Sequence, residues 1–404
     1  MHTATSTRTR RTVGRLAAAL GVAFALLPMS GCWSGPVAKG TLANPAPKPS
    51  VQSTQAALAA SSSIISTMAG VVAPPSQGCY VGIFRPPAPY EMTTLDSYSE
   101  TISPKVPAIL MWYQAWAETQ PKDFDQAAAV IDFERGCIPM VTWEPWDPRA
   151  ADRVKNPDWA LQSILDGKYD AYLKRFARKV KNARGPVMLR PMHEMNGYWY
   201  PWSGLVNGNT PAKFIRAWRY IHKVFDAEGA TNVTWVWTVN WNSVPNSYAN
   251  RFAAYYPGDT YVDWVGISGF NWGTVRPGSK WMSFSEIYDS PLAYLRTLNK
   301  PIAIAEFACV EQGGSKAAWI TDAYDRIHYE HPEVKAVIWF DSLEEGNDQV
   351  QDWRIDTSKA STAAYRKAVA DPYFLGGPAS TLSVWLKGLS DKNWAYLRSL
   401  PAVY

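Results

Sequence analysis

Eight short apolar runs, amphipathic segments between most of them, and no glycine-rich phosphate loop after the first run predict a (β/α)8 TIM barrel, an α/β fold. The runs are Tyr80–Phe84, Ala108–Tyr113, Ile138–Trp143, Val187–Pro191, Val233–Val239, Trp264–Ser268, Ile302–Phe307 and Ala336–Phe340. They are nearly continuous in Val, Ile, Leu and aromatics, as strands covered on both faces are. Asp123–Arg135 has helical spacing, and Ala160–Asn182 reads as one long amphipathic helix. Thr210 caps and Pro211 opens a helix that Gly229 closes. Ser283–Leu298 and Ser315–Tyr329 continue the alternation. A doubly wound open sheet is the competing architecture, and it calls for the phosphate loop that this sequence lacks.

The barrel is expected over residues 77–376 as a single domain. Residues 1–31 read as an export signal. Arg8, Arg10, Arg11 and Arg15 precede or open the apolar run Leu16–Leu27, and Met29-Ser30-Gly31-Cys32 resembles a bacterial lipoprotein cleavage site. That resemblance implies an exported, cell-envelope chain lipidated at Cys32, with membrane contact only through the lipid. Residues 32–76, rich in Ala, Ser, Pro, Thr and Val, read as a flexible tether, with Ile64–Val72 apolar enough to pack on the domain. Residues 377–404 read as a short helical extension.

The 404 residues are 47% hydrophobic, enough for one large core. Lysine and arginine number 40 against 35 acidic residues, and four of the arginines fall in the first fifteen positions. The remainder is near neutral and carries no electrostatic footprint for nucleic acid. Cys79 and Cys137 read equally as a bridge or as two buried thiols. The 20 tryptophans and 21 tyrosines either build an aromatic core or offer flat platforms with polar edges, the surface on which a pyranose ring stacks.

In such a barrel the strand C-termini carry the chemistry. The fourth run ends Arg190-Pro191-Met192-His193-Glu194-Met195-Asn196-Gly197, and the seventh ends Ile304-Ala305-Glu306-Phe307. Each puts a carboxylate at the end of an apolar strand, where an unpaired charge is costly. A single glutamate so placed reads as well as half of a structural ion pair. Two, on the fourth and seventh strands, point to cleavage of a glycosidic bond. That reaction needs one carboxyl protonated, to donate to the leaving oxygen, and one ionised, to attack the anomeric carbon; a separation of about 5–5.5 Å gives retention of configuration. Arg190 and His193 are placed to tune the pair. This chemistry requires no cofactor, and the cysteines show no metal-ligand spacing.

The R-P-M-H-E-M-N-G stretch and the A-E-F of the seventh run resemble glycoside hydrolase family 26, best known for β-mannanases, over roughly residues 78–375. The resemblance implies a retaining endo-β-glycanase with Glu194 as general acid/base and Glu306 as nucleophile. It also implies His193 ahead of the acid/base, and Trp199 and Trp339 bordering the reacting sugar. The implied partner is a β-linked polysaccharide, first β-1,4-mannan, alternatively a β-1,3- or mixed-linkage glucan or a bacterial exopolysaccharide, and the chain is expected to be a monomer. A non-catalytic glycan-binding protein is the competing class. One position departs from the family: a tyrosine whose hydroxyl bonds the nucleophile is common after the sixth strand, and this chain has Phe270 there, with Ser268 or Asn271 as possible substitutes.

The third run continues as Trp143-Glu144-Pro145-Trp146, making Trp143 and Glu144 candidates for further sugar subsites, or a packed tryptophan beneath a charged loop. Phe270 and Trp272 are candidate sugar contacts after the sixth run. Glu344, Glu345 and Asp348 read first as a solvated acidic loop, alternatively as carboxylates that line the cleft or bind a cation, and Asp263 as a residue of the barrel floor. Cys309 has no paired base beside it and reads as a bystander.

Overall fold

The computed structural model describes residues 71–91, 93–117, 123–125, 128–129, 135–183, 185–346 and 349–377. The signal, Cys32, most of the tether, most of Asp123–Arg135, and residues 378–404 lie outside them. The barrel strands are β1 (Cys79–Phe84), β2 (Ile109–Ala115), β3 (Ile138–Glu144), β4 (Val187–Pro191), β5 (Val233–Asn240), β6 (Trp264–Asn271), β7 (Ile302–Cys309) and β8 (Val334–Phe340). All are parallel and pair in chain order, and β8 returns to β1 through Tyr80↔Ala336 to Phe84↔Phe340, closing the barrel. The (β/α)8 expectation from the sequence is the fold observed.

Side chains alternate across each strand, so two cores form. Ile109, Met111, Met140, Met188, Val236, Trp264, Ala303, Ala336 and Ile338 fill the barrel interior. The opposite register, with Trp143, Phe176, Trp237, Phe307 and Trp339, fills the layer between barrel and helices. Many of the tryptophans are therefore structural. Val72, near the end of the segment read as tether, belongs to the inner core. Its N–H donates to Thr234 Oγ1 at 2.6 Å, and Trp264 Nε1 donates to its carbonyl at 2.9 Å. Thr234 and Trp264 lie at the N-terminal ends of β5 and β6, so Val72 plugs the floor. Asp263 is also there, accepting from Trp235 N at 2.8 Å.

The helices start and stop where their caps dictate. Thr210 accepts from Lys213 N at the head of Pro211–Glu228, and Gly229 ends it at φ 72°. Ser283 and Glu286 form a reciprocal capping box on Phe284–Arg296, and Ser315 caps Lys316–Tyr329. The long helix expected over 160–182 is two, Leu161–Leu165 and Asp170–Lys181, broken where Gly167 takes φ 78°. Cys79, Cys137 and Cys309 are buried thiols and no disulfide joins them.

Candidate active site

The strand C-termini open onto a cleft of about 760 Å³ whose walls include Glu144, Glu194 and Glu306. Glu306 reaches it through a local irregularity. Ala303 points into the barrel and Ile304 out, so strict alternation would turn residue 306 outward. The pairing with β6 slips between Ile267↔Ile304 and Ser268↔Glu306, which leaves Ala305 as an extra residue and brings Glu306 inward.

The loop after β4 is built residue by residue. Met192 and Glu194 take φ 50° and 54°, a left-handed conformation that costs a non-glycine residue energy. The turn is held because Met192 N donates to Trp143 O at 3.1 Å and Glu194 N to Thr238 O at 3.0 Å. Asn196 staples it to β5, its amide donating to Asn240 O at 3.0 Å while its Oδ1 accepts from Asn240 N at 2.8 Å. A Cβ on Gly197 would lie 2.5 Å from the Trp199 ring. The missing side chain lets Trp199 fold back and donate its Nε1–H to Glu194 Oε2 at 2.7 Å.

Arg190, fully buried, organises the centre. Its Nη2 donates to Glu306 Oε1 at 2.6 Å and to Ser268 Oγ at 2.8 Å. Its Nη1 reaches Thr142 Oγ1 at 2.9 Å and its Nε reaches Thr238 Oγ1 at 3.1 Å. Ser268 also favours the ionised form of Glu194, so the hydroxyl that Arg190 holds acts on that carboxyl as well. Burial, then repulsion from Glu306, pushes the Glu194 carboxyl up to about 7, against the opposing pull of Arg190, Trp199 and Ser268. His193 is held well below the ordinary imidazole range by burial and by Arg190, so it is neutral; its Nε2 lies 3.0 Å from Tyr200 Oη and 3.8 Å from Glu306 Oε1. Glu144 is pushed up to about 8, chiefly by burial, although Trp146 Nε1 donates to it at 3.1 Å.

Glu144, Glu194, Trp199, Phe270, Trp272 and Glu306 all border the cleft. Arg190 and His193 lie beneath it, bonded or close to Glu306. Trp143 and Trp339 do not border it. Trp143 stacks on Phe176 at 4.3 Å and donates to Tyr172, on the helix side. Trp339 packs on Phe307 and donates to Trp353 O. Residues adjacent in a strand face opposite ways, so Glu144 and Phe340 hold the cleft register and their tryptophan neighbours cannot. The tryptophan that borders the cleft after β8 is Trp353, beyond the hairpin Leu343–Gly346 and Gln349–Asp352. Glu344 borders it too, accepting from Trp353 Nε1 at 3.3 Å, which is the cleft-lining alternative for that residue rather than the solvated loop. Arg276 lies 3.2 Å over the Trp272 ring, covering one face of that expected sugar platform. Tyr113, Trp146 and Tyr200 also line the cleft and were not anticipated from the sequence. The inward register of β2 is the signal that singles out Tyr113.

Residues 154–331 match the model of glycosyl hydrolase family 26. Endoglucanase H of Acetivibrio thermocellus is 42% identical over 240 residues, 59% of this chain and 25% of that protein. A mannan endo-1,4-beta-mannosidase of Bacillus subtilis is 29% identical over 164 residues, 38% of this chain and 40% of that protein. The chain thus spans about a quarter and two fifths of the lengths of these two relatives. The solved Bacillus subtilis mannanase BCman shares the fold at TM-score 0.54 and 20% identity, covering 79% of this chain and 93% of that one. The barrel shares its fold with that mannanase and residues 154–331 carry the family match, so the chain is similar to glycosyl hydrolase family 26 proteins.

Proposed function

We propose that the chain is a retaining endo-β-glycanase, with Glu194 as general acid/base and Glu306 as nucleophile. The observation that carries this reading is the opposed setting of two carboxyls. Glu194 is held near 7, able to keep a proton for the leaving oxygen, while Glu306 bonds a guanidinium at 2.6 Å, the setting of an ionised carboxylate. In the first step Glu306 attacks the anomeric carbon as Glu194 gives its proton to the departing sugar. In the second, Glu194 takes a proton from water, which releases the glycosyl group from Glu306. An open cleft with aromatic walls, including Trp146, Trp199 and Trp353, suits a chain gripped along its length.

The substrate proposed first is β-1,4-mannan. A β-glucan is the second reading, favoured by the 42% identity to a protein named an endoglucanase. The test incubates the protein with mannan, glucomannan, mixed-linkage glucan, β-1,3-glucan and xylan, with E306A beside it. Oligosaccharides released from one polymer, absent in the variant, support the reading and identify the glycan. Release by both proteins, or by neither, sinks the assignment. The anomeric form of the first product, followed by NMR, tests retention.

A further inference from the structure

The loop after β6 carries a cation that the proposed reaction does not use. Arg276 borders the cleft, and its guanidinium carbon lies 3.2 Å over the Trp272 ring. The loop is built to hold that stack. Its root is pinned by Asn271, whose Oδ1 accepts from Gly273 N at 3.1 Å and from Met282 N at 3.0 Å. Arg276 itself opens a Pro277-Gly278 turn, with Gly278 at φ 80° and Ser279 N donating to Arg276 O at 3.0 Å. The Ser279 hydroxyl closes the same turn, donating to Arg276 O at 2.8 Å and accepting from Arg276 N at 3.1 Å. Among the described residues the guanidinium has no hydrogen-bond or ion-pair partner, so its N–H groups are uncommitted.

We propose that Arg276 is a specificity-determining residue of the cleft, its guanidinium laid flat on Trp272 and reading the hydroxyls of an uncharged sugar unit. This role deepens the functional reading above and rests on it. The face of Trp272 that Arg276 covers is closed to a sugar ring, so a sugar there meets the guanidinium instead. A guanidinium carries its donors in its own plane, and stacking leaves them pointing sideways, free to bond oxygen. An acceptor stands on the same wall. Trp272 meets Trp353 edge to face at 4.7 Å, and Trp353 Nε1 donates to Glu344 at 3.3 Å. Two indoles thus carry a fixed donor and a carboxylate acceptor side by side on the cleft wall. A sugar hydroxyl both donates and accepts, so neighbouring hydroxyls can use the two groups together. A carboxylate-bearing sugar only accepts, and it would meet Glu344 as a like charge.

The test uses two variants of the full chain. Arg276→Met keeps an unbranched stem on Trp272 and removes the donors. Arg276→Lys keeps the charge and removes the planar fork. KM and kcat are measured on mannan, glucomannan and mixed-linkage glucan, using whichever the wild type cleaves, and thermal melting is recorded beside them. For Arg276→Met the expected result is a KM raised about tenfold, the worth of one charge-assisted bond, with kcat within about twofold and melting unchanged. Arg276→Lys should fall between that variant and the wild type. A wild-type KM in Arg276→Met overturns the role, and a lowered KM does so by showing that Arg276 only obstructs Trp272. A wild-type KM in Arg276→Lys overturns the part given to the planar fork. A KM that rises only where melting falls also overturns the role. In each of these cases turnover by the wild type leaves the functional reading standing. A wild type that cleaves none of the polymers overturns that reading and the role together.

Discussion

Arg190 Nη2 and Glu306 Oε1 lie 2.6 Å apart, and the guanidinium is wholly buried. Glu306→Ala therefore removes the proposed nucleophile and also strands a buried cation. Turnover is expected to fall by roughly four orders of magnitude or more. Stability is expected to fall by about 3–5 kcal/mol. Glu306→Gln keeps an acceptor for Arg190, so it should lose the same activity and less stability. Denaturant melts of both variants beside turnover assays check this. Equal stability losses would show that the ion pair does not set the cost.

Glu194→Ala is expected to slow polysaccharide hydrolysis far more than hydrolysis of dinitrophenyl glycosides, whose leaving group departs unprotonated. Comparing kcat/KM on both substrates gives the answer. Similar losses on the two would count against the acid/base role.

Trp199 donates to Glu194 Oε2 and so favours its ionised form. Trp199→Phe removes that donor and should raise the Glu194 carboxyl above about 7. The acid then survives to higher pH, and the alkaline limb of the kcat/KM profile should move upward. A limb that stays in place would mean another group governs it.

Glu144 lies at about 8 in the folded chain against an ordinary 4.5, so the folded state keeps a proton that the unfolded chain releases. Stability from this group is full below about 4.5 and falls as pH rises toward about 8. Glu144→Gln is neutral throughout and removes that slope. Its melting temperature relative to the wild type should climb across this window, and a constant difference would refute the account.

Trp143 stacks on Phe176 and donates to Tyr172 away from the cleft. Trp143→Phe should cost about 1–3 kcal/mol of stability and leave KM unchanged. A raised KM with unchanged stability would return Trp143 to the list of sugar contacts.

Strand runs and capping residues such as Thr210, Ser283 and Ser315 are local signals, which is why the barrel could be read from the sequence. The carboxyls at the ends of β4 and β7 were equally visible, because each interrupts an apolar run. Facing was harder. Trp143 and Glu144 are consecutive, so at most one could enter the cleft, and period two alone excludes reading both as sugar contacts. Glu306 is the reverse case, since alternation counted from Ala303 points it outward and only the slip in register turns it in. Trp353 comes into the cleft after a hairpin whose pairing depends on contacts far apart in sequence. Gly167 splits a segment whose apolar spacing continues across it, so periodicity alone hid the break.

Val72 gives the molecule a handle at its base. The chain enters through the floor, bonded to Thr234 and Trp264, while Glu194 and Glu306 stand at the opposite mouth. The sealed floor and the two carboxyls therefore occupy opposite ends of the barrel. With Val72 closing one end, the barrel is left open at the end where the proposed polymer substrate would meet both carboxyls.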